Sequence, residues 1–250
     1  MSEQVCTPGL EFVQKANHEV RTAERISAVI LQMADAAIKL ASVYRMPRYE
    51  MDRRENDAEH SYLLAMITIC TVAILKEEFP EEYAEVSVGE AAEYALSHEL
   101  IELISGDVQT FNISETALAT KTQQEDDDVE AVCAILPGRI AGNVRRYQKH
   151  EELVIRIVGL LDKIAPYAVD ALLPGPTSKV MHEDYGVNTD EELYEVNNTL
   201  IRRYKHRYPE RKLDVLHVAL HSIIRRFETQ SFVPSARPSF VQDALFEIAS

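Results

Sequence analysis

Two short stretches carry the side chains best suited to chemistry. In Arg53-Arg54-Glu55-Asn56-Asp57-Ala58-Glu59-His60-Ser61 a histidine stands among carboxylates, and Ser97-His98-Glu99-Leu100-Ile101-Glu102-Leu103-Ile104-Ser105-Gly106-Asp107 repeats the arrangement. Further on, Asp162 interrupts an apolar run. Burying such groups without partners is costly, so apolar helices that turn them inward pair them or give them a metal. His60, His98, Glu99 and Asp162 are therefore candidate ligands, and their nitrogen and oxygen donors suit divalent ions such as Mn, Co, Fe, Ni or Zn. Taken singly, each has a plainer reading. A lone histidine can be a satisfied core residue, Asp162 can pair with Lys163, and Glu59 and Glu90 can be helix-start charges.

These residues must be positioned by helices. Ile26, Val29, Ile30, Met33, Ala37 and Leu40 recur at helical spacing and predict a first helix from Thr22 to about Tyr44, with Thr22 as its cap. The charge-rich Arg45 to Asn56 stretch reads as a surface loop. Asp57 is the expected cap of a helix from Ala58 to about Glu78, placing His60 in its first turn. Ser87-Val88-Gly89-Glu90 has capping-box form and opens a helix to about Ser105, on which His98 and Glu102, four apart, share a face.

A loop is expected over 107–120. The acidic cluster Glu125 to Asp128 then favours a helix start, with Val129, Val132, Cys133 and Leu136 as its apolar stripe. After Pro137-Gly138 another helix runs from about Val144 or Glu151 to Leu173 and contains Asp162. Leu173 to Thr189, with Pro174, Gly175 and Pro176, is the expected boundary. Helices from about Asp190 to Tyr208 and Lys212 to Phe227 and a polar tail follow. No run of alternating β-branched residues stands out, so the fold class is all-α.

The net charge of −15 over 250 residues argues against a nucleic-acid polymer as partner, while a small anion needs only a few local cations. Cys6, Cys70 and Cys133 are widely spaced, without a CxxC pair, and imply neither a disulfide framework nor a thiolate zinc site; Cys70 and Cys133 read as core. The longest apolar run, Leu63 to Leu75, falls short of the roughly 20 residues a membrane span needs, and no signal-peptide pattern opens the chain. The expectation is a cytoplasmic protein that engages no membrane.

The order and spacing of the blocks resemble the His-Asp (HD) domain metal-dependent phosphohydrolases, and within them the bacterial 5'-deoxynucleotidases and phage deoxynucleotide triphosphohydrolases. Arg53-x-Glu55-Asn56-x-x-Glu59-His60-Ser61 is similar to the first metal-histidine block. His98-Glu99-x-x-Glu102-x-x-x-Gly106-Asp107 is similar to the His-Asp doublet, catalytic Glu and Gly-Asp turn, and Leu161-Asp162-Lys163 to the late Asp.

The resemblance runs from about Arg45 to Leu173 and implies a helical-bundle core; with the expected boundary, the organisation is a core over 1–173, a linker over 174–189 and a C-terminal helical extension over 190–250. It makes His60, His98, Glu99 and Asp162 the metal ligands and Glu102 the acid/base group. Asp107 becomes a contact to sugar or leaving group and Arg45 a phosphate-binding arginine, with added charge from Lys121 or Lys163. The implied cofactor is a divalent ion (Co, Mn, Zn, Fe, Ni or Mg), the partner a small (deoxy)nucleotide, and the assembly a homo-oligomer.

Two positions depart from the family pattern. Glu99 stands where the namesake Asp is usual, one methylene longer, and Met46 stands where the deoxynucleotidases usually have Trp, so an aromatic wall is missing.

The chemistry implied is metal-assisted hydrolysis of a phosphate ester or anhydride of a deoxynucleoside mono- or triphosphate. Two other readings are a nucleotide-binding regulator with catalysis impaired at Glu99, and a helical interaction protein. The last would present the basic stretch Arg202, Arg203, Lys205, His206, Arg207, Arg211 and Lys212, for which a solvated helix face is the plainer account.

Overall fold

The computed structural model describes residues 8–50, 53–106, 114–173, 181–182 and 185–231. Helices dominate these residues, as expected. Their order is α1 (Pro8–Leu40), a hairpin of β1 (Tyr44–Glu50) and β2 (Arg53–Asn56), α2 (Asp57–Glu78), α3 (Val88–Ser97), a 3-10 turn (His98–Ile101), α4 (Glu102–Ser105), α5 (Glu115–Ala134), α6 (Gly138–Lys149), α7 (Leu153–Leu172), α8 (Asp190–Arg207), a second 3-10 turn (Arg211–Leu213) and α9 (Asp214–Ser231). Outside the described residues lie Cys6, Asp107, most of the expected boundary at 174–189, and the tail; so does the side chain of Met46.

The chain forms two compact units, residues 1–45 with 56–158, and 46–55 with 159–250. In the first, Ala36 and Leu40 of α1 pack with Leu100, Ile101, Val132, Cys133, Leu136, Ala141 and Val144. Burial of such side chains, roughly 1.5–3 kcal/mol each for the larger ones, fixes how α5 and α6 meet the 3-10 turn. Helix α2 packs along α3 and buries Leu64, Val72 and Leu75. At 22 residues α2 is also long and apolar enough to cross a membrane by length and composition. In the second unit, Tyr167 on α7 donates to Asn197 Oδ1 on α8 (3.3 Å), and Asn197 donates to Glu228 Oε1 on α9 (3.0 Å), so buried polar groups bind the three helices.

Several local expectations are corrected. Residues 44–50 and 53–56 pair as a two-stranded sheet, where an irregular loop was expected. Asn56, not Asp57, caps α2: its side chain accepts from Glu59 N (3.0 Å), and Glu59 Oε2 accepts from Asn56 N (3.3 Å). Helix α1 begins before Thr22 and stops at Leu40, and Ile26, Val29 and Ile30 of its expected core stripe are exposed. Helix α5 starts at Glu115, capped by Ser114, so the acidic cluster lies within it. Cys70 is exposed.

The continuous helix expected over 87–105 is interrupted, which matters most. Ser97 Oγ donates back to Glu93 O (2.7 Å), a bond that competes with the helical ladder, and the chain tightens at once into the 3-10 turn. Gly106, at φ +69°, then ends α4 in a conformation that L side chains rarely adopt.

Candidate metal centre

The geometry begins with His98. Its Nδ1 lies 2.9 Å from Ala95 O, one turn back on α3. A neutral ring donating there presents the Nε2 lone pair outward, the arrangement that orients metal-bound histidines. His98 Nε2 lies 3.0 Å from Glu99 Oε1, and His60 Nε2 lies 3.6 Å from the same oxygen. The two rings are tilted at 5.5 Å between centroids. His60 reaches this point from the first turn of α2, held there by the Asn56 cap.

The separations test whether an ion fits. Ligand atoms about 2.1 Å from a divalent ion stand roughly 3.4 Å apart when tetrahedral and about 3.0 Å when octahedral. The observed 3.0 and 3.6 Å bracket these spacings. Ligand atoms of His60, His98 and Glu99 all lie within 4.8 Å of one another, and all three residues are buried. The donor set suits a transition ion.

Arg45 supplies the local positive charge. Its Nη1 pairs with Glu99 Oε1 and lies 3.4 Å from Asp57 Oδ1. Asp57 is fully buried, and its amide donates to Val43 O (3.1 Å), tying the start of α2 to the turn that follows α1. Burial alone would push the Glu99 carboxyl up; the cation of Arg45, then His98 and His60, outweigh it and hold the group well below the usual carboxylate range.

Glu102 is also buried. In a 3-10 turn residues three apart eclipse, and the Glu102 amide bonds back to Glu99 O, so Glu102 follows Glu99 on one edge of the turn. Lys121 Nζ donates to Glu102 Oε1 (3.0 Å), and Ser105 Oγ donates to Oε2 (3.2 Å). The same ammonium also pairs with Glu125. Burial would lower the Lys121 pKa, but Glu102 and then Glu125 raise it above its ordinary value.

Asp162 lies on α7, buried, with Lys163 Nζ 2.6 Å from its Oδ2. Burial favours neutral Lys163, and Asp162 more than offsets that, keeping the ammonium above its ordinary value. Asp57, Ser105 and Glu125 were not assigned from sequence. The Asn56-x-x-Glu59 pattern was a readable signal for moving the cap off Asp57; the partners of Glu102 lie too far along the chain, or too close to ordinary helix chemistry, to have given one.

A family model described as "HD domain" matches residues 37–192. Among solved structures, the chain is similar to one described as a predicted metal-dependent phosphohydrolase from Magnetospirillum magnetotacticum MS-1, at 23% identity and a TM-score of 0.55, covering 82% of this chain and 97% of that one. At this identity the likeness is one of fold. No curated protein matches the chain.

Proposed function

Because this chain belongs to the HD domain family, whose model spans residues 37–192, we propose that it is a divalent-metal-dependent phosphohydrolase acting on a phosphate ester or anhydride of a (deoxy)nucleotide. The observation that carries this reading is the convergence of buried His60, His98 and Glu99 at ligand spacing. The description of the structurally similar protein as a predicted metal-dependent phosphohydrolase supports it.

His60, His98, Glu99 and Asp162 would hold the ion. Asp162 stands one helical turn beyond Val158, on the face of α7 that also buries Ala165 and Val169. The ion supplies Lewis acidity toward a phosphate oxygen and toward water. Glu102 accepts the proton from the attacking water and returns it to the leaving group, a role worth typically 10²- to 10⁴-fold. Arg45 takes negative charge on the phosphate through its guanidinium group. The resemblance gives Asp107, outside the described residues, the contact to sugar or leaving group.

Incubating the protein with deoxynucleoside mono- and triphosphates and each of Co, Mn, Zn, Fe, Ni and Mg, with products separated by chromatography, tests the proposal. Release of phosphate, pyrophosphate or triphosphate identifies the bond cut. Tight nucleotide binding without product would instead favour a regulator impaired at Glu99. The proposal includes a homo-oligomer, favoured by the exposed apolar residues Ile26, Ile30, Leu31 and Ile38 on α1. A monomeric mass by light scattering would remove that part.

A further inference from the structure

The placement of Lys121 points away from direct contact with substrate. Its side chain is 11% exposed, and its Nζ is engaged by Glu102 and Glu125 together. An ammonium has three donors and no acceptor. Two are committed to the carboxylates of Glu102 and Glu125. Meanwhile Lys121 holds Glu102 at Oε1 (3.0 Å), and Ser105 Oγ, whose single proton is shared between Ile101 O and Glu102 Oε2 (3.2 Å each), lies against the other oxygen. Helix α5 thus reaches across to fix the orientation of a carboxylate borne by α4, while Glu125, one turn along α5, fixes the lysine.

We propose that Lys121 is a positioning residue for Glu102, steered by Glu125, and not a substrate-binding cation. Catalysis requires the accepting oxygen to sit within hydrogen-bond reach of the proton it takes, and a displacement of about 1 Å can cost roughly 100-fold. A glutamate has three side-chain torsions to hold. The Lys121 and Ser105 contacts restrict them without touching the ligand set, so Lys121 acts on turnover and leaves metal and substrate binding largely alone.

This inference rests on the hydrolase reading, and the test separates the two. Wild type, Lys121→Met, Lys121→Arg, Glu102→Ala and the double variant Lys121→Met/Glu102→Ala are compared for kcat, KM and metal content. Lys121→Met is expected to lower kcat about 10- to 100-fold, with KM within about threefold of wild type and metal content unchanged. Lys121→Arg, which keeps a donor in reach of both carboxylates, should recover most of the loss. The double variant should be no slower than Glu102→Ala, because the lysine acts through the glutamate. A rise in KM at constant kcat, or additive losses in the double variant, would overturn the proposal and return Lys121 to the substrate.

A second readout needs no turnover. Acetylation by acetic anhydride, mapped by peptide mass, should modify Lys121 at least severalfold faster in Glu102→Gln than in wild type. Equal rates would overturn the pairing. If wild type hydrolysed no nucleotide, the hydrolase reading would fail while the labelling result still decided whether Lys121 is held by Glu102.

Discussion

At the scale of single residues, the question is how Glu99 serves where a shorter aspartate is usual. The 3-10 turn advances about 120° per residue against 100° in an α-helix, so Glu99 emerges farther round from His98 than a continuous helix would place it. Its side chain returns Oε1 to 3.0 Å from His98 Nε2. Glu99→Ala should therefore lose metal and turnover together, whereas Glu99→Asp should keep measurable activity with an altered metal preference. An inert wild type that Glu99→Asp awakens would show a chain kept for binding. Arg45→Ala should raise KM for the nucleotide by roughly 10- to 100-fold, the worth of a charge-assisted contact to phosphate of about 1.5–3 kcal/mol. Unchanged kinetics would confine Arg45 to steadying Glu99. The histidines and Glu99 were legible in the sequence because polar groups stand out in apolar helices. The pairing of Arg45 with Glu99 was not, since it joins residues 54 apart.

At the scale of elements, the Ser87 cap was readable, while the cap of α2 was misplaced by one residue and the interruptions were not readable. Ser87 announced α3, followed three residues later by Glu90, whereas the matching Thr189 and Glu192 box that opens α8 went unread. The tightening at His98 depends on a Ser97 hydroxyl turning back to Glu93 O, a choice invisible in the apolar spacing. Likewise the acidic run Glu125–Asp128 suggested a helix start, yet those groups are tolerated within α5, where Lys121 pairs with Glu125 and Gln123 with Asp127. The turn between α2 and α3 has its own fastening: Lys76 Nζ donates to Tyr83 O (3.0 Å), Ala84 O (3.0 Å) and Val86 O (2.8 Å). Lys76→Met should lower unfolding free energy by about 1–3 kcal/mol, read by denaturant titration, with no change in metal content. On α3, burial first and the Glu152 carboxylate next push the Tyr94 phenol from 10.0 up to about 12. A raised acid pKa in the folded state means that stability is fully present below pH 10 and falls as pH rises toward 12, where the unfolded chain ionises first. Tyr94→Phe should flatten that alkaline loss in melting curves; an unchanged slope would show that the phenol ionises equally in both states.

At the scale of the whole molecule, the helical class followed from periodicity alone, while the extent of α1 did not. Its apolar residues at helical spacing foretold burial, yet of Ile26, Val29, Ile30, Met33, Ala37 and Leu40 only Leu40 is buried, and Ile26, Val29 and Ile30 are exposed. Periodicity reports a face, not what covers it. The division into two units falls within α7, between Val158 and Gly159, with no composition break to mark it. In the second unit Gly159 meets Tyr208 so closely that a Cβ would lie 2.6 Å from the Tyr208 hydroxyl, a contact that no sequence pattern announces. What the molecule is for rests on the buried cluster and the family together. The measurement that tests this most directly is a stoichiometric divalent-metal titration of chelator-treated protein, with bound metal and nucleotide hydrolysis followed in the same samples. Hydrolysis should rise in step with metal and saturate at a fixed number of ions per chain, and His98→Ala should bind little metal and hydrolyse nothing. Hydrolysis indifferent to chelation, or a His98→Ala variant that binds and turns over like wild type, would contradict the account.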